Sequence, residues 1–583
     1  MPDTFAKVSG NALFSAAHAS GKEPFVKILT AFCFGLFQII VTFAEFNDPH
    51  FRTKNAATMK IALAQLNYTI GDIEGNSSKM IDAIRRAKDE KADLVLFAEQ
   101  AVSGTPAFDL LRKTTFLELC EDALERIASH CDTIAAIVGS PVLTAEGTIS
   151  AAVVMEEGRV QHCIGKKRIT ARREMGFLTS GEGVRSVTIK GHKCVVVVGD
   201  DMRFETDYDH SAELVISINA RKYYKGGMTY RLETLRHAAF AEGKEIVLVN
   251  QVGGSTEIVY DGTSGVVNRR GELVLLMKSF EEDFRIYDTE AEHTPLEIPK
   301  QVSRTYMVYE AACCGLRDFF FKNGYRKACI GLSGGIDSAV VACIAVEALG
   351  RENVRALLMP SPFTTEASVE DARMLARRLG IAYDVIPISD IYAKVLEAMD
   401  PVIGGIEFDF TEENIQTRIR TMLLMALQNK TGYMLLNSSN KSENALGLCT
   451  LYGDTAGAFS PTGDIYKSEM YDVARYINRI HDNVIPENIL TKEPSSELHI
   501  GQKDSDILPP YEVVDAILYR MIEESQHREE IINAGFDSEV VEKIHAMIMR
   551  NEKKRYQFPP VLRLSSCAFG HERLMPLTNK YGD

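Results

Sequence analysis

The sequence lacks three things: an excess of positive charge, a useful number of cysteines, and any repeat or low-complexity tract. Lysine and arginine number 65 against 80 aspartates and glutamates, a net charge of −15 with an isoelectric point near 5.5. Coating nucleic acid calls for a basic face, so this deficit argues against nucleic acid as a partner while leaving room for a local pocket that takes phosphates. Eleven cysteines in 583 residues are too few for a disulfide scaffold. No CxxC pair occurs and only Cys313 and Cys314 are adjacent, a scatter that fits reduced thiols in a cytoplasmic protein. Uncharged apolar runs are scarce too. The stretch Ile28–Ala44 is apolar apart from Thr30, Gln38 and Thr42, and falls short of the about 20 residues that usually span a bilayer. Lys22 and Lys27 precede it, as they would a signal anchor. The other reading makes residues 1–58 a dispensable extension, with Met59 as the true start of a first β-strand, MKIALAQLN.

What is present is an ordinary globular composition, 45% hydrophobic and 25% charged, long enough for two large domains at about 150 residues each. From Met59 onward short β-branched runs alternate with amphipathic stretches. Lys60–Leu66, Ala92–Phe97, Thr133–Val142, Ile149–Glu156, Lys193–Val198, Leu214–Asn219 and Glu245–Asn250 read as strands. Asn76–Lys88 and Leu110–His130 read as helices. Such alternation predicts an α/β layer fold. Asp288–Lys300 is acidic, carries two prolines and has no periodicity, so residues 288–304 read as a linker between a first domain, 59–287, and a second, 305–583.

The second domain opens with a strand, Lys327–Leu332, a turn, Ser333-Gly334-Gly335-Ile336-Asp337-Ser338, and a helix, Ala339–Leu349. Strand, glycine turn and helix aim backbone N–H groups and a helix N-terminus at an anion. Gly331 and Leu332 lead into the loop. Gly334 and Gly335 let the backbone approach phosphate oxygens, Ser333 and Ser338 bring hydroxyls, and Asp337 is suited to Mg²⁺. No GxxxxGK[ST] is present, which excludes a Walker loop.

The hexapeptide resembles the pyrophosphatase (PP) loop of ATP-dependent ligases that cleave ATP between the α- and β-phosphates. Among them, Asn440-Lys441-Ser442-Glu443, Thr450-Leu451-Tyr452-Gly453-Asp454 and Gly463-Asp464-Ile465-Tyr466-Lys467 look like the signatures of NAD⁺ synthetases. Pro494–Leu498, Gln502, Leu508–Tyr511 and Arg550–Arg555 continue the match. The resemblance implies a Rossmann-like adenine-nucleotide α-hydrolase domain. It would use ATP and Mg²⁺ to amidate deamido-NAD through an acyl-adenylate. It implies Asp337 and Glu443 as metal ligands, Ser438 and Lys467 at ATP, and Asn414, Glu443, Asp454 and Lys554 at the dinucleotide. For Lys554, within the run EKKR, a solvated charged face is the plainer alternative, as local bonding is for Asn414.

Residues 59–287 resemble the nitrilase-like amidase domain of glutamine-dependent NAD⁺ synthetases, an α-β-β-α sandwich, through MKIALAQLN, Gly71–Asn76, Leu94–Glu99, Ile218–Ala220 and Asn250–Gly254. That family's Glu–Lys–Cys triad maps to Glu99 as base, Lys166 as charge stabiliser, and Gly199 where the nucleophilic sulfur should be. Glycine carries no nucleophile. A relocated one at Cys194 or Cys163 is the alternative. The family's Leu-Pro-Asn-Tyr stretch reads Ile169-Thr170-Ala171-Arg172, and Arg221 stands where a small serine is expected. The expectation is therefore a synthetase with a degenerate amidase half, fed by free ammonia or by an ammonia-supplying partner, and homo-oligomeric as the resemblance implies. The rival readings are a glutamine-hydrolysing enzyme and a non-catalytic nucleotide-binding scaffold.

Overall fold

The computed structural model describes residues 59–183, 185–203, 209–297 and 304–580. The run Ile28–Ala44 lies outside them, and no helix among the described residues is long and apolar enough to cross a membrane.

The first half is built on two six-stranded sheets. One contains β1 (Lys60–Gln65), β2 (Leu94–Leu96), β3 (Ala135–Thr144), β4 (Gly147–Glu156), β5 (Arg159–Gly165) and, far along the chain, β14 (Asp283–Asp288), in the order β14-β1-β2-β3-β4-β5. The other contains β6 (Arg185–Ile189), β7 (His192–Val198), β8 (Leu214–Asn219), β9 (Glu245–Asn250), β12 (Gly265–Val267) and β13 (Leu273–Leu276), in the order β13-β12-β9-β8-β7-β6. Between β9 and β12 a separate hairpin pairs β10 (Val252–Ser255) with β11 (Ile258–Asp261). Strand alternation explains the layering. In β7, Val196 and Val198 point between the sheets at Leu94, Ile137 and Ile216, while Val195 and Val197 point outward. Helices α1 (Ile73–Asp89) and α2 (Thr114–Ser129) cover the outer face of the first sheet, and α3 (Gly227–Glu242) covers that of the second. The expected α-β-β-α sandwich is what forms. The predicted helix Leu110–His130 is broken: a 3-10 turn at Phe108–Arg112 gives way to α2 after the extended Lys113.

In the second half, α4 (Arg304–Lys322) precedes β15 (Ala328–Gly331), α5 (Ile336–Leu349), β16 (Val354–Leu358), α6 (Glu366–Leu379), β17 (Ala382–Val385), α7 (Ser389–Ile403), α8 (Phe410–Thr431) and β18 (Met434–Leu435). The four strands form a parallel sheet in the order β17-β16-β15-β18, the doubly wound pattern that binds ligands beyond its strand ends. Helix α5 starts at Ile336, three residues earlier than its apolar run suggested, so Asp337 and Ser338 belong to its first turn. Helices α9 (Lys441–Leu446) and α10 (Lys467–Ile480) follow.

The halves share one hydrophobic core. Val195, Val197, Leu232 and Leu235 of the first pack in a continuous cluster with Ala311, Phe320, Val340 and Ile477 of the second. Helix α4 locks the joint with polar groups. Asp318 accepts hydrogen bonds from Asn67 Nδ2 and Gly254 N, both at 2.7 Å, and Lys322 Nζ donates to Asn67 Oδ1, Tyr68 O and Gly254 O at 2.6–2.8 Å. The linker is tied down as well, since Leu296 N bonds to Leu273 O at 2.7 Å.

Removing the Asp318 carboxylate leaves the Asn67 and Gly254 donors without their acceptor and takes from Lys322 an ion pair at 3.6 Å. We expect Asp318→Ala to lose about 2–4 kcal/mol of unfolding free energy, read by urea titration of the full chain.

Candidate active site

In the first half, β2, β5 and β7 all end at one place. Beyond β2, Glu99 is held by its N–H to Asn219 O (3.2 Å); beyond β5, Lys166 is held by its N–H to Ser150 O (2.7 Å). Both side chains are 2% exposed. Lys166 Nζ donates to Glu99 Oε1 at 3.0 Å and to Glu174 Oε1 and Oε2 at 3.1 and 2.9 Å, while Ser150 Oγ donates to Glu99 Oε1 at 3.0 Å. Burial works to depress the Lys166 ammonium, but the two carboxylates hold it above its ordinary value; burial raises Glu174, against the pull of Lys166. Glu174 escaped the sequence reading, lying in an irregular segment eight residues after its partner.

Gly199 follows β7 with φ +58 and faces this cluster. A Cβ there would sit 2.7 Å from Glu99 Oε2 and 2.9 Å from Lys166 Nζ, so a side chain at 199 would point at the expected base and lysine, and the space for it is taken. Cys194 and Cys163 are elsewhere. Cys194 is buried between the sheets, its thiol pushed up to about 12 by burial, and at a strand rise of about 3.3 Å per residue its Cα is roughly 16 Å from that of Gly199. Cys163 is exposed on β5. Two of the other departures share a partner: Thr170 Oγ1 donates to Asp200 Oδ2 at 2.6 Å, and Arg221 Nη2 donates to Asp200 Oδ1 at 2.8 Å.

In the second half, a cavity of about 330 Å³ opens beyond the parallel sheet. Gly331, Leu332, Ser333, Gly335, Ile336 and Asp337 line it, together with Ser438, Glu443, Asp454 and Lys467. Gly334 and Ser338 do not line it. Gly334 (φ +84) packs so closely that a Cβ would meet Ser368 O at 2.2 Å. The Ser338 hydroxyl is used within the loop, 3.1 Å from Ser333 Oγ and donating to Gly335 O at 3.2 Å. Asn414 and Lys554 are also outside the lining and instead brace the loop that carries Asp454. Thr450 Oγ1 donates to Asn414 Oδ1 (2.6 Å), Thr450 N to Asp454 Oδ1 (2.6 Å), and Lys554 Nζ to Gly447 O and Cys449 O (2.7 and 2.8 Å). Lys554 is thus no solvated charge.

At the centre of the cavity Lys467 Nζ donates to Asp337 Oδ2 at 2.5 Å and to Glu443 Oε1 at 3.4 Å, and Asn440 Nδ2 donates to Asp337 Oδ1 at 3.0 Å. Residues far apart in sequence converge because Asp337 opens α5, Glu443 sits in the first turn of α9 and Lys467 opens α10. Two carboxylates around one ammonium also suit a hard divalent cation. Mg²⁺ takes one or two carboxylates and fills its other positions with phosphate oxygens and water. Among the described residues no His, Cys, Asp or Glu joins them to make a three-ligand cluster, so the fit is to a metal carried in with phosphates.

Family models divide the chain at the same joint: a carbon-nitrogen hydrolase model matches residues 60–294 and an NAD synthase model matches residues 308–558. The glutamine-dependent NAD(+) synthetase of Aquifex aeolicus is 38% identical over 90% of this chain and 100% of its own length, and that of Xanthomonas campestris is 38% identical over 90% and 98%. The solved glutamine-dependent NAD⁺ synthetase of Acinetobacter baumannii in complex with ADP superposes with a TM-score of 0.72 at 35% identity, over 90% of this chain and 99% of that one. The chain belongs to the glutamine-dependent NAD⁺ synthetase family. The expected fold class, a nitrilase-like domain followed by a PP-loop synthetase domain, is thereby shown.

Family membership gives the electrostatics a context. Desolvation pushes Glu443 up to about 8, with Lys467 opposing and Asp337 adding to the shift. The folded chain therefore holds a proton that an unfolded glutamate releases near 4.5. That contribution to stability is complete at low pH and is lost as pH rises toward 8. We expect wild type to lose more stability than Glu443→Gln between pH 5.5 and 8, measured by urea unfolding at each pH. At the other site, Gly199→Ala places a Cβ at positive φ against Glu99, and we expect a loss of roughly 1–3 kcal/mol in the same assay.

Proposed function

We propose that the chain makes NAD⁺ from deamido-NAD and ATP, with ammonia rather than glutamine as its direct nitrogen source. A nicotinate carboxylate oxygen attacks the α-phosphorus of ATP; the new C–O–P link forms as the bond to pyrophosphate breaks. Ammonia then adds to the acyl carbon, gives up a proton, and expels AMP as the C–O bond breaks. The Asp337–Lys467–Glu443 cluster facing the glycine loop carries this reading. The loop's backbone and the N-terminus of α5 receive the triphosphate. Mg²⁺ held by Asp337 and Glu443 would offset the repulsion between triphosphate and substrate carboxylate. Lys467, kept charged well above its ordinary range by the two carboxylates despite burial, neutralises the departing pyrophosphate. Ser438 would contact ATP. Glu443 and Asp454, with Asp454's loop set by Asn414 and Lys554, would contact the dinucleotide.

Gly199 supports the choice of donor. With no sulfur at 199 the base Glu99 and the lysine Lys166 have nothing to activate. Ammonia would come from solution or from a partner protein, in a cytoplasmic homo-oligomer. A second reading is favoured by the relatives, which are glutamine-dependent by name. In it another cysteine performs the hydrolysis.

The test supplies ammonium or glutamine, separately, to protein with deamido-NAD and ATP, and follows AMP and NAD⁺ together. We expect product with ammonium and at least a hundredfold less with glutamine. Equal rates that fall on Cys194→Ser or Cys163→Ser would establish the second reading.

A further inference from the structure

The catalytic cluster leaves one cation of the cavity unused. Helix α8 faces the cavity with Thr417, Arg420, Thr421 and Leu424, the i, i+3, i+4, i+7 stripe of a single helical face. Three of these are small or apolar; Arg420 carries a full charge into the space shared with the glycine loop. Its Nε donates to Met359 O, just past the end of β16, at 3.1 Å, and neither Nη has a hydrogen bond or ion pair among the described residues. Most of the other cations in and around this cavity are matched: Lys467 by Asp337 and Glu443, and Lys492 by Asp371 at 3.5 Å and Ser368 Oγ at 3.0 Å. Enclosure lowers the Arg420 guanidinium to about 10, with Glu497 and Asp454 acting against that, so it remains a cation at neutral pH.

A partly buried cation whose carboxylate neighbours, Glu497 and Asp454, act on it without a direct bond has room for a closer anion, and an arginine tethered at Nε has the plane of its fork already set. Both conditions suit a ligand that brings its own negative charge in paired oxygens. The same cavity supplies the setting: Ser333, Gly335 and Asp337, around the start of α5, line it too. Leu357, Met359 and Leu424 add an apolar surface for a flat ring.

We propose that Arg420 is a phosphate-binding residue of the nucleotide site, its two Nη groups gripping a phosphate of ATP from helix α8 while the glycine loop holds the others. The assignment rests on the reading of this cavity as an ATP site, and it names a charge that holds the phosphates together with the loop.

Calorimetry on the full chain, without deamido-NAD so that no reaction intervenes, compares ATP and adenosine as ligands for wild type, Arg420→Gln and Arg420→Lys. Two charge-assisted bonds predict a roughly tenfold to hundredfold weaker ATP affinity in R420Q, an intermediate loss in R420K, which keeps the charge but not the fork, and an unchanged adenosine affinity. Unchanged ATP affinity in R420Q, or an equal loss for adenosine, overturns the assignment while leaving the ATP site in place. Wild type that fails to bind ATP overturns the nucleotide reading itself. Should R420Q unfold, R420K carries the comparison, and ATP binding by R420K equal to wild type counts against the fork.

Discussion

Two carboxylates cannot be enclosed side by side without a positive charge between them. The second half of this chain is organised around that constraint. Asp337, Glu443 and Lys467 arrive from three different helices, and each arrives at a helix N-terminus, where the chain direction is set by the turn before it. The lysine therefore fixes the relative placement of the glycine loop, the short helix after Asn440 and the long helix that begins at position 467. With Glu443 holding its proton the cluster is close to neutral, and a divalent ion arriving on a nucleotide would displace that proton and take up the second carboxylate.

The first half repeats the arrangement with Glu99, Glu174 and Lys166. Removing one partner from such a buried group strands a charge at a cost of about 3–5 kcal/mol, whereas a thiol can leave a strand end without any such penalty. Retention of Glu99 and Lys166 is thus what folding alone would require, and is no sign of hydrolysis by itself. Two positions that the sequence reading set against the family pattern are also tied in: Thr170 and Arg221 both donate hydrogen bonds to Asp200.

Much of this was legible in the sequence. Continuous β-branched runs such as Lys193–Val198 and Glu245–Asn250 located buried strands to within a residue, because full burial on both faces leaves room for little except β-branched side chains. The glycine hexapeptide and the ordered motifs after it named the second site. Three kinds of fact were not legible. Helix starts shifted where polar residues occupy a first turn, as at Ile336. The helix residues Asn414 and Lys554 also brace the loop that carries Asp454, a role that no pattern in one dimension displays. Glu174 and Arg420 were missed for opposite reasons: one sits in irregular chain, the other on a regular helix whose arginines look alike until one is seen facing inward.

The shared core between the halves has a consequence for how the chain can change. Helix α4 opens the second half in sequence, yet its Asp318 and Lys322 are anchored on Asn67 and the hairpin of the first. A chain cut within the linker would yield two pieces, each with an oily raw flank. The first half is consequently not free to be discarded, whatever chemistry it performs: it is scaffolding for its neighbour, and selection on the synthetase reaches it through solubility.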